Sequence, residues 1–447
     1  MEYKKGKIVA KGKTKILYEI EEQEHSGMLI VENKNDITKN DDPSLTQVMN
    51  KKANYANATT CAVFNLLKEA GIPVAFEKQL SETEFLAPKC TMIPLEVILR
   101  RYAPPNSSYL KRRPDLTKNS GEIPHRFHRL VFELDLKTTL GVIKDMHGLV
   151  MSQLPDDCLE TEKKKPVDDP LIANPQDKNW NLVHPKIPSW DKRSNLKSTI
   201  KKTDVLPISI SVGMIEEMAR KTFLVIEGAW AQLGLRLMDI KIEFGIGLSG
   251  ELFVADVIDN DSWRLRTSDW QELSKQLFRD NAQMGEIEDK YALVANLVNR
   301  FTIPKQAIVL WRGSKDDKLP DFDNELHKVG VYFIIQSGHK SPGACLVQLE
   351  DILANYPEGG VIINIVGMSN GLGPILSART NWPTIGVCTT AEVHPEDAWS
   401  SLRMPSQVPM LTVLSSKNAV LAALNILAQK NPVAYMYRQY AIEELDK

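Results

Sequence analysis

Apolar spacing divides the chain into stretches of different character. Near the start, the short alternating runs KILYEI and MLIVE read as strands. ANATTCAVFNLLKEAG places Val63, Leu66 and Leu67 at helical spacing before Gly71 stops the helix, so residues 1–150 predict an α+β unit. From 152 to 206 the pattern collapses. Pro155, Pro166, Pro170, Pro175, Pro185 and Pro188 break a polar stretch with little to pack, which predicts a disordered insert. Order returns in SVGMIEEMARKTFLVIEGAWAQLG, a helix with Ser211 as its N-cap, and in RLMDIKIEF and ELFVADVI, two strands of a hairpin joined by GIGLSG. Ile240, Ile242 and Phe244 alternate with Asp239, Lys241 and Glu243, so the first of these strands has one apolar and one charged face.

A different rhythm follows. NAQMGEIEDKYALVANLVNR predicts an amphipathic connector over 281–302, separating a domain at 1–280 from one at 303–447. QAIVLWRGS, VYFIIQSGHK and VIINIVGMSNG are apolar runs that each end in small polar residues, and helical stretches such as SPGACLVQLEDILANY alternate with them. That is the pattern of a doubly wound α/β domain, a parallel sheet between helix layers with a ligand crevice at the carboxyl ends of its strands. Gly367, Gly371 and Gly373 allow close approach of backbone to ligand. One long final helix is expected from Asn418 to Glu444.

Composition narrows the function. The 447 residues carry a net charge of −2, which gives no basic field for a nucleic acid. Five scattered cysteines without a CxxC pair argue against a disulfide framework or zinc site, and no run approaches the roughly 18 apolar residues of a membrane span. A cytoplasmic protein with no membrane partner is expected.

Candidate chemistry lies in two places. The charged face of RLMDIKIEF meets ADVIDNDSWR, which adds Asp256, Asp259 and Asp261; carboxylates gathered this way repel one another unless a cation sits among them, so a magnesium nucleotide site is a hypothesis. KGKTK at 11–15 lacks Walker spacing, but such a turn can face phosphates with Lys13 or Lys15. His125 and His128 form an HxxH pair, read as surface residues for want of a third ligand.

These residues also resemble known families as a set. KGKTKILYEI, Asp36-Ile37-Thr38, FLAPKCTMIPLEVILRR and MDIKIEFG followed by VADVIDNDSWRL are similar to phosphoribosylaminoimidazole-succinocarboxamide (SAICAR) synthetase. IVGMSNGLGPILSART, QSGHKSP and WSSLRMPS resemble the aminoimidazole ribonucleotide (AIR) carboxylase of animals, where the two enzymes are fused in this order as an octamer. For the first half the resemblance implies ATP held by Lys13, Lys15, Lys241, Glu243 and Asp256, magnesium near Asp256 and Asp261, and substrate near Arg100, Ser262 and Arg264. For the second it implies a phosphate and ribose turn at Ser314 and Asp317 with Ser337, and acid-base work by His339 beside Lys340. It also implies a carbon dioxide pocket at Ser369 and Asn370, with no cofactor. Aspartate would be the further substrate, and octamers would form through the C-terminal domain.

This chain departs from both patterns. Asp316 stands where the carboxylase family has Ser, Met368 where it has Arg, and Gln407 in a loop that has lost two glycines. In the synthetase half Glu133-Leu134-Asp135-Leu136-Lys137-Thr138-Thr139 aligns with Glu-Leu-Phe-Phe-Lys-Asp-Asp, leaving threonines for two carboxylates unless Asp168-Asp169 replace them. Two classes of function fit: a bifunctional purine-synthesis enzyme, or a diverged paralogue that keeps fold and oligomer as a binding or structural protein.

Overall fold

In the first half of the chain, alternation rather than helical periodicity dominates what forms. The computed structural model describes residues 3–21, 26–38, 45–104, 107–119, 123–159, 165–317 and 330–445. Two units separate between Phe301 and Thr302. In the first, β1 (Lys5–Lys11), β2 (Lys15–Ile20), β3 (Met28–Asn33), β4 (Lys78–Gln79) and β5 (Glu84–Pro88) form an antiparallel sheet in the order β1-β2-β3-β5-β4, with helix α1 (Lys52–Glu69) beside it.

A nine-stranded sheet carries the charged face. Its members are β6 (Thr91–Met92), β7 (Leu95–Tyr102), β8 (Arg126–Leu136), β9 (Leu171–Ile172), β10 (Asn179–Val183), β11 (Asn195–Lys201), β12 (Arg236–Ile246), β13 (Leu252–Ala255) and β14 (Trp263–Arg266). They run β11-β10-β9-β8-β7-β12-β13, with β6 and β14 also on β12. Asp135 lies opposite Glu96, Arg100 opposite Asp239, and Asp239 opposite Arg264. Side chains alternate across a strand, so Glu133, Asp135, Glu96, Arg100, Asp239, Lys241 and Glu243 share one side. On the other side Val97, Leu99, Ile240 and Ile242 are buried where helix α2 (Val212–Gln232) packs on β7 and β12. Each such side chain contributes about 1.5–3 kcal/mol by leaving water, which offsets the cost of desolvating the charged side. The hairpin and the Ser211 cap form as expected, with the Ser211 side chain accepting a bond from the Met214 amide at 3.1 Å.

Three expectations are corrected. The described part of the 152–206 insert is ordered, and β9, β10 and β11 extend the sheet; prolines lie between strands, where no ladder bond is lost. The helix expected within 281–302 forms as α3 (Met284–Val298) but belongs to the first unit rather than linking two, because it packs on α1 and buries Ile287 and Tyr291 with Ile37, Met49 and Phe278. His125 and His128 are both exposed, as expected of a surface pair, with His128 in a strand and His125 just before it. The final helix is two helices.

The second unit is the parallel α/β domain. β15 (Ala307–Arg312), β16 (Val331–Ile335), β17 (Gly360–Val366), β18 (Thr384–Cys388) and β19 (Leu411–Thr412) are ordered β16-β15-β17-β18-β19, all parallel. Val309, Trp311, Ile362 and Val366 pack with Cys345, Leu349 and Ile352 of α4 (Pro342–Asn355). The expected last helix breaks between α5 (Ser416–Leu427) and α6 (Pro432–Glu444), because Pro432 cannot donate within a helix. Asn431 caps the second piece, accepting from Val433 and Ala434 at 3.0 and 3.1 Å.

Candidate functional site

The charged side of the large sheet is a ladder of ion pairs. Arg100, 3% exposed, donates to Glu133 at 3.0 Å and pairs with Asp239; Arg264 reaches the same Asp239 at 2.6 Å, and Arg112 reaches Glu133. Lys241 pairs with Glu96 at 2.5 Å and lies 3.6 Å from Glu243, which is bonded by Lys137 at 2.5 Å. Among the described residues Asp135 faces Glu96 and makes no ion pair, although Arg112 and Arg100 are near enough to draw its carboxyl down. Burial first, then Glu133 and Glu96, push its carboxyl well above the usual range.

The ladder opens onto a 380 Å3 cavity. Leu17, Val31, Phe85 and Met92 supply apolar walls, and Lys15, Lys137, Glu243 and Asp256 supply its charges. Lys15, at the end of the KGKTK turn, pairs with Asp256. Burial lowers the Lys15 ammonium to about 8, against the pull of Glu243. Burial alone would raise Glu243, but Lys137, Lys241 and Lys15 hold it below its usual value. Asp256 sits in the left-handed region at φ 65°, a conformation that aspartate enters more readily than most non-glycine residues.

Lys15, Glu243 and Asp256 are thus brought together, with Lys241 one ion pair away. Arg100 and Arg264 also meet, through Asp239. Lys13 is exposed and does not line the cavity; its carbonyl accepts from Lys34 at 3.0 Å. Ser262 closes its own turn, accepting from the Asp259 amide at 3.2 Å and donating to the Val257 carbonyl at 3.2 Å. Asp261 is placed elsewhere than the expected metal role requires. Lys275 at 3.1 Å, Lys52 at 3.2 Å and Tyr291 occupy its oxygens and hold its carboxyl low despite burial, so Glu243, not Asp261, shares the cavity with Asp256. Among the described residues no three His, Cys, Asp or Glu side chains are grouped to hold a metal unaided.

Glu96 also belongs to this ladder and was not identified from sequence, whereas Glu133, Asp135 and Lys137 entered only as part of an aligned segment and were given no role. The available signal was the alternation of Glu96, Ile98 and Arg100 within PLEVILRR, in register with Asp239 and Lys241.

Asp169, also left-handed at φ 45°, approaches the ladder from the insert. Burial, with Glu96 and Asp168 nearby, pushes its carboxyl from 3.8 up to about 7. A raised carboxyl pKa gives stability that is complete below the unfolded value and is lost as pH rises through the folded one. Asp169→Asn is therefore expected to stabilise the fold more at pH 8 than at pH 6 in urea titrations; equal gains at both would show that Asp169 titrates normally.

In the second unit the strand ends gather His339, Ser369 and the 313–317 turn. His339 Nε2 lies 3.3 Å from Ser369 Oγ, and the ring packs so closely on Gly371 that a Cβ there would collide with it. The Ser314 amide donates to Asp317 Oδ2 at 2.8 Å, and burial together with Asp316 raises the Asp317 carboxyl. Ser337 accepts from the Lys340 amide at 3.2 Å, and the Lys340 residue is exposed. Asn370 departs from the expected pocket role. Its amide is consumed by Gly373 at 2.7 Å, Asn364 at 3.0 Å and Ser401 at 2.9 Å, so it holds the loop from behind while Ser369 meets His339. Gln407 keeps a left-handed backbone at φ 63°. Gln407→Gly is expected to stabilise this unit by about 0.5–1 kcal/mol, because the left-handed penalty exceeds the added chain entropy. An unchanged denaturation midpoint would refute it.

An apolar cavity fringed by lysines and carboxylates, and a histidine-serine pair at the ends of parallel strands, give the chain two places suited to small anionic molecules. The family model described as SAICAR synthetase matches residues 8–147 and 192–297, and that described as AIR carboxylase matches 312–443. A probable multifunctional protein ADE2 of Caenorhabditis elegans is 30% identical over 96% of this chain and 91% of its own length. The multifunctional protein ADE2 of Gallus gallus is 31% identical over 97% of this chain and 92% of its own. A solved SAICAR synthetase in complex with ADP aligns with 65% of this chain and 96% of its own at 21% identity and TM-score 0.45. The chain belongs to the SAICAR synthetase family, in the bifunctional form fused to AIR carboxylase that serves de novo purine synthesis. No helix among the described residues is long and apolar enough to cross a membrane.

Proposed function

We propose that the chain carboxylates aminoimidazole ribonucleotide in its second unit and joins the product to aspartate in its first, giving SAICAR at the expense of ATP. The observation that carries this is the cavity in which Lys15, Lys137, Glu243 and Asp256 adjoin apolar walls. The walls suit a nucleobase, and the lysines suit phosphate oxygens. Magnesium fits too: it commonly takes one or two carboxylates plus substrate phosphates, for which Asp256 and Glu243 suffice, and it would neutralise charge during phosphoryl transfer.

Lys15 exchanges Asp256 for phosphate oxygens as the nucleotide binds. Arg100 and Arg264, paired with Asp239 in the free protein, would hold the nucleotide phosphate or the incoming dicarboxylate by bidentate bonds. Transfer of the phosphoryl group to that carboxylate makes an acyl phosphate; the amine of aspartate attacks its carbonyl carbon, and phosphate leaves. In the second unit Ser314, Asp317 and Ser337 bind the ribose phosphate, Ser369 polarises carbon dioxide, and His339 moves the proton at the imidazole carbon. The partners are small molecules. A cytoplasmic homo-octamer assembled through the second unit is part of this reading, supported by Tyr332, Phe333 and Ile335, exposed on an edge strand.

The test is a coupled assay on purified protein: aminoimidazole ribonucleotide and bicarbonate, then ATP, magnesium and aspartate, following SAICAR by absorbance. Folded protein without turnover in either half would overturn the reading.

A further inference from the structure

The SAICAR synthetase family model passes over residues 148–191, yet this segment reaches the cavity's supporting shell. Its contact is the Asp168-Asp169 pair, just before β9, which joins the sheet opposite Asp135. The Asp168 carboxylate accepts from the Thr138 hydroxyl, from the Leu140 amide at 3.3 Å and from the Gly141 amide at 3.1 Å. Asp169 adds a reciprocal pair: its Oδ1 accepts from the Thr138 amide at 2.8 Å, and its amide donates to Thr138 Oγ1 at 2.9 Å.

The 138–141 turn needs that support. Leu140 and Gly141 both have positive φ, 53° and 71°, and a leucine holds such a conformation only where its surroundings enforce it. The residue immediately before the turn is Lys137, which bonds Glu243 at the cavity. A displacement of the turn therefore moves the lysine that sets the position and charge of Glu243.

We propose that Asp168 is a positioning residue of the synthetase site, holding the 138–141 turn so that Lys137 stays on Glu243 where nucleotide binds. A segment outside the family pattern thereby supports the site through backbone amides and one threonine hydroxyl, without touching substrate. The inference rests on the synthetase reading above.

Asp168→Asn tests it with little change of shape, since the new NH2 group cannot accept from both sides of the turn. By titration calorimetry with magnesium ATP, the full-length variant is expected to bind at least about tenfold more weakly, as outer-shell losses do at comparable sites. The KM for ATP should rise by the same factor, with kcat changing much less. Lys137→Met should weaken binding similarly, and Asp168→Asn added to it should cost nothing more. Additive losses, or unchanged affinity in Asp168→Asn, would assign Asp168 a merely structural role and overturn the proposal. If Asp168→Asn does not fold, Thr138→Val removes the hydroxyl that donates to Asp168, whereas Thr138→Ser keeps it and serves as the control; weaker nucleotide binding in Thr138→Val alone supports the proposal, and wild-type affinity in Thr138→Val overturns it. Wild-type protein that binds no nucleotide would remove the synthetase reading and this inference together, whereas wild-type binding with an unaffected Asp168→Asn variant removes the inference alone.

Discussion

Asp256→Asn is expected to lower SAICAR formation by about two to three orders of magnitude while the protein stays folded. Asparagine matches aspartate in shape and tolerates the left-handed backbone at φ 65°, so the substitution isolates the charge. Two things are lost with it. Lys15 loses the partner that balances it before nucleotide arrives, and the cavity keeps only Glu243 as a carboxylate for magnesium. Rates measured across a magnesium titration should show a higher half-saturating concentration as well as a lower plateau. Turnover within threefold of wild type at ordinary magnesium would remove Asp256 from the mechanism.

In the second unit, two substitutions are expected to converge on one outcome. His339→Ala should cost carboxylation about 10²–10⁴-fold by removing the proton carrier. Gly371→Ala should cost nearly as much while removing no functional group, because the added methyl occupies the position of the imidazole ring and forces it away from Ser369. Gly371 does not have positive φ, so its backbone accepts alanine and the effect reports on the ring alone. Carboxylation followed with aminoimidazole ribonucleotide and bicarbonate reads both variants, and the second reaction, supplied with carboxylated substrate, serves as the folding control. Full carboxylation by Gly371→Ala would mean that the ring does not work from its observed place.

What could be read from sequence follows the range of the interactions involved. The alternation of Asp239, Lys241 and Glu243 predicted a charged strand face without any knowledge of its neighbours, because that pattern is local. The parallel strands ending near Arg312 and Val366 were legible for the same reason: a strand buried on both faces must be apolar along its length, whereas the apolar strand ending near Gln336 lies at the sheet edge with Tyr332, Phe333 and Ile335 exposed. The insert was not. β9 is two residues long, too short for a periodic signal, and its place in the sheet is decided on one side by Asp135 of β8, which lies far from it in sequence, although its other neighbour β10 follows closely. The docking of Asp168 on Thr138 spans thirty positions and leaves no periodic trace. Asp256 and Asp261 looked equivalent in ADVIDNDSWR, but strand β13 ends at Ala255 and the chain turns, sending one to Lys15 and the other to Lys52 and Lys275.

The ion ladder also restricts how this protein can change over generations. Arg100, Glu133, Asp239 and Arg264 are each held by a neighbour of opposite sign in a place that water reaches poorly. Losing one member strands its partner without solvation, whereas replacing both together with groups of matching shape can be nearly neutral. Neutral drift across this sheet face therefore proceeds by paired substitutions, and a single exchange that is harmless on the surface becomes an evolutionary dead end here.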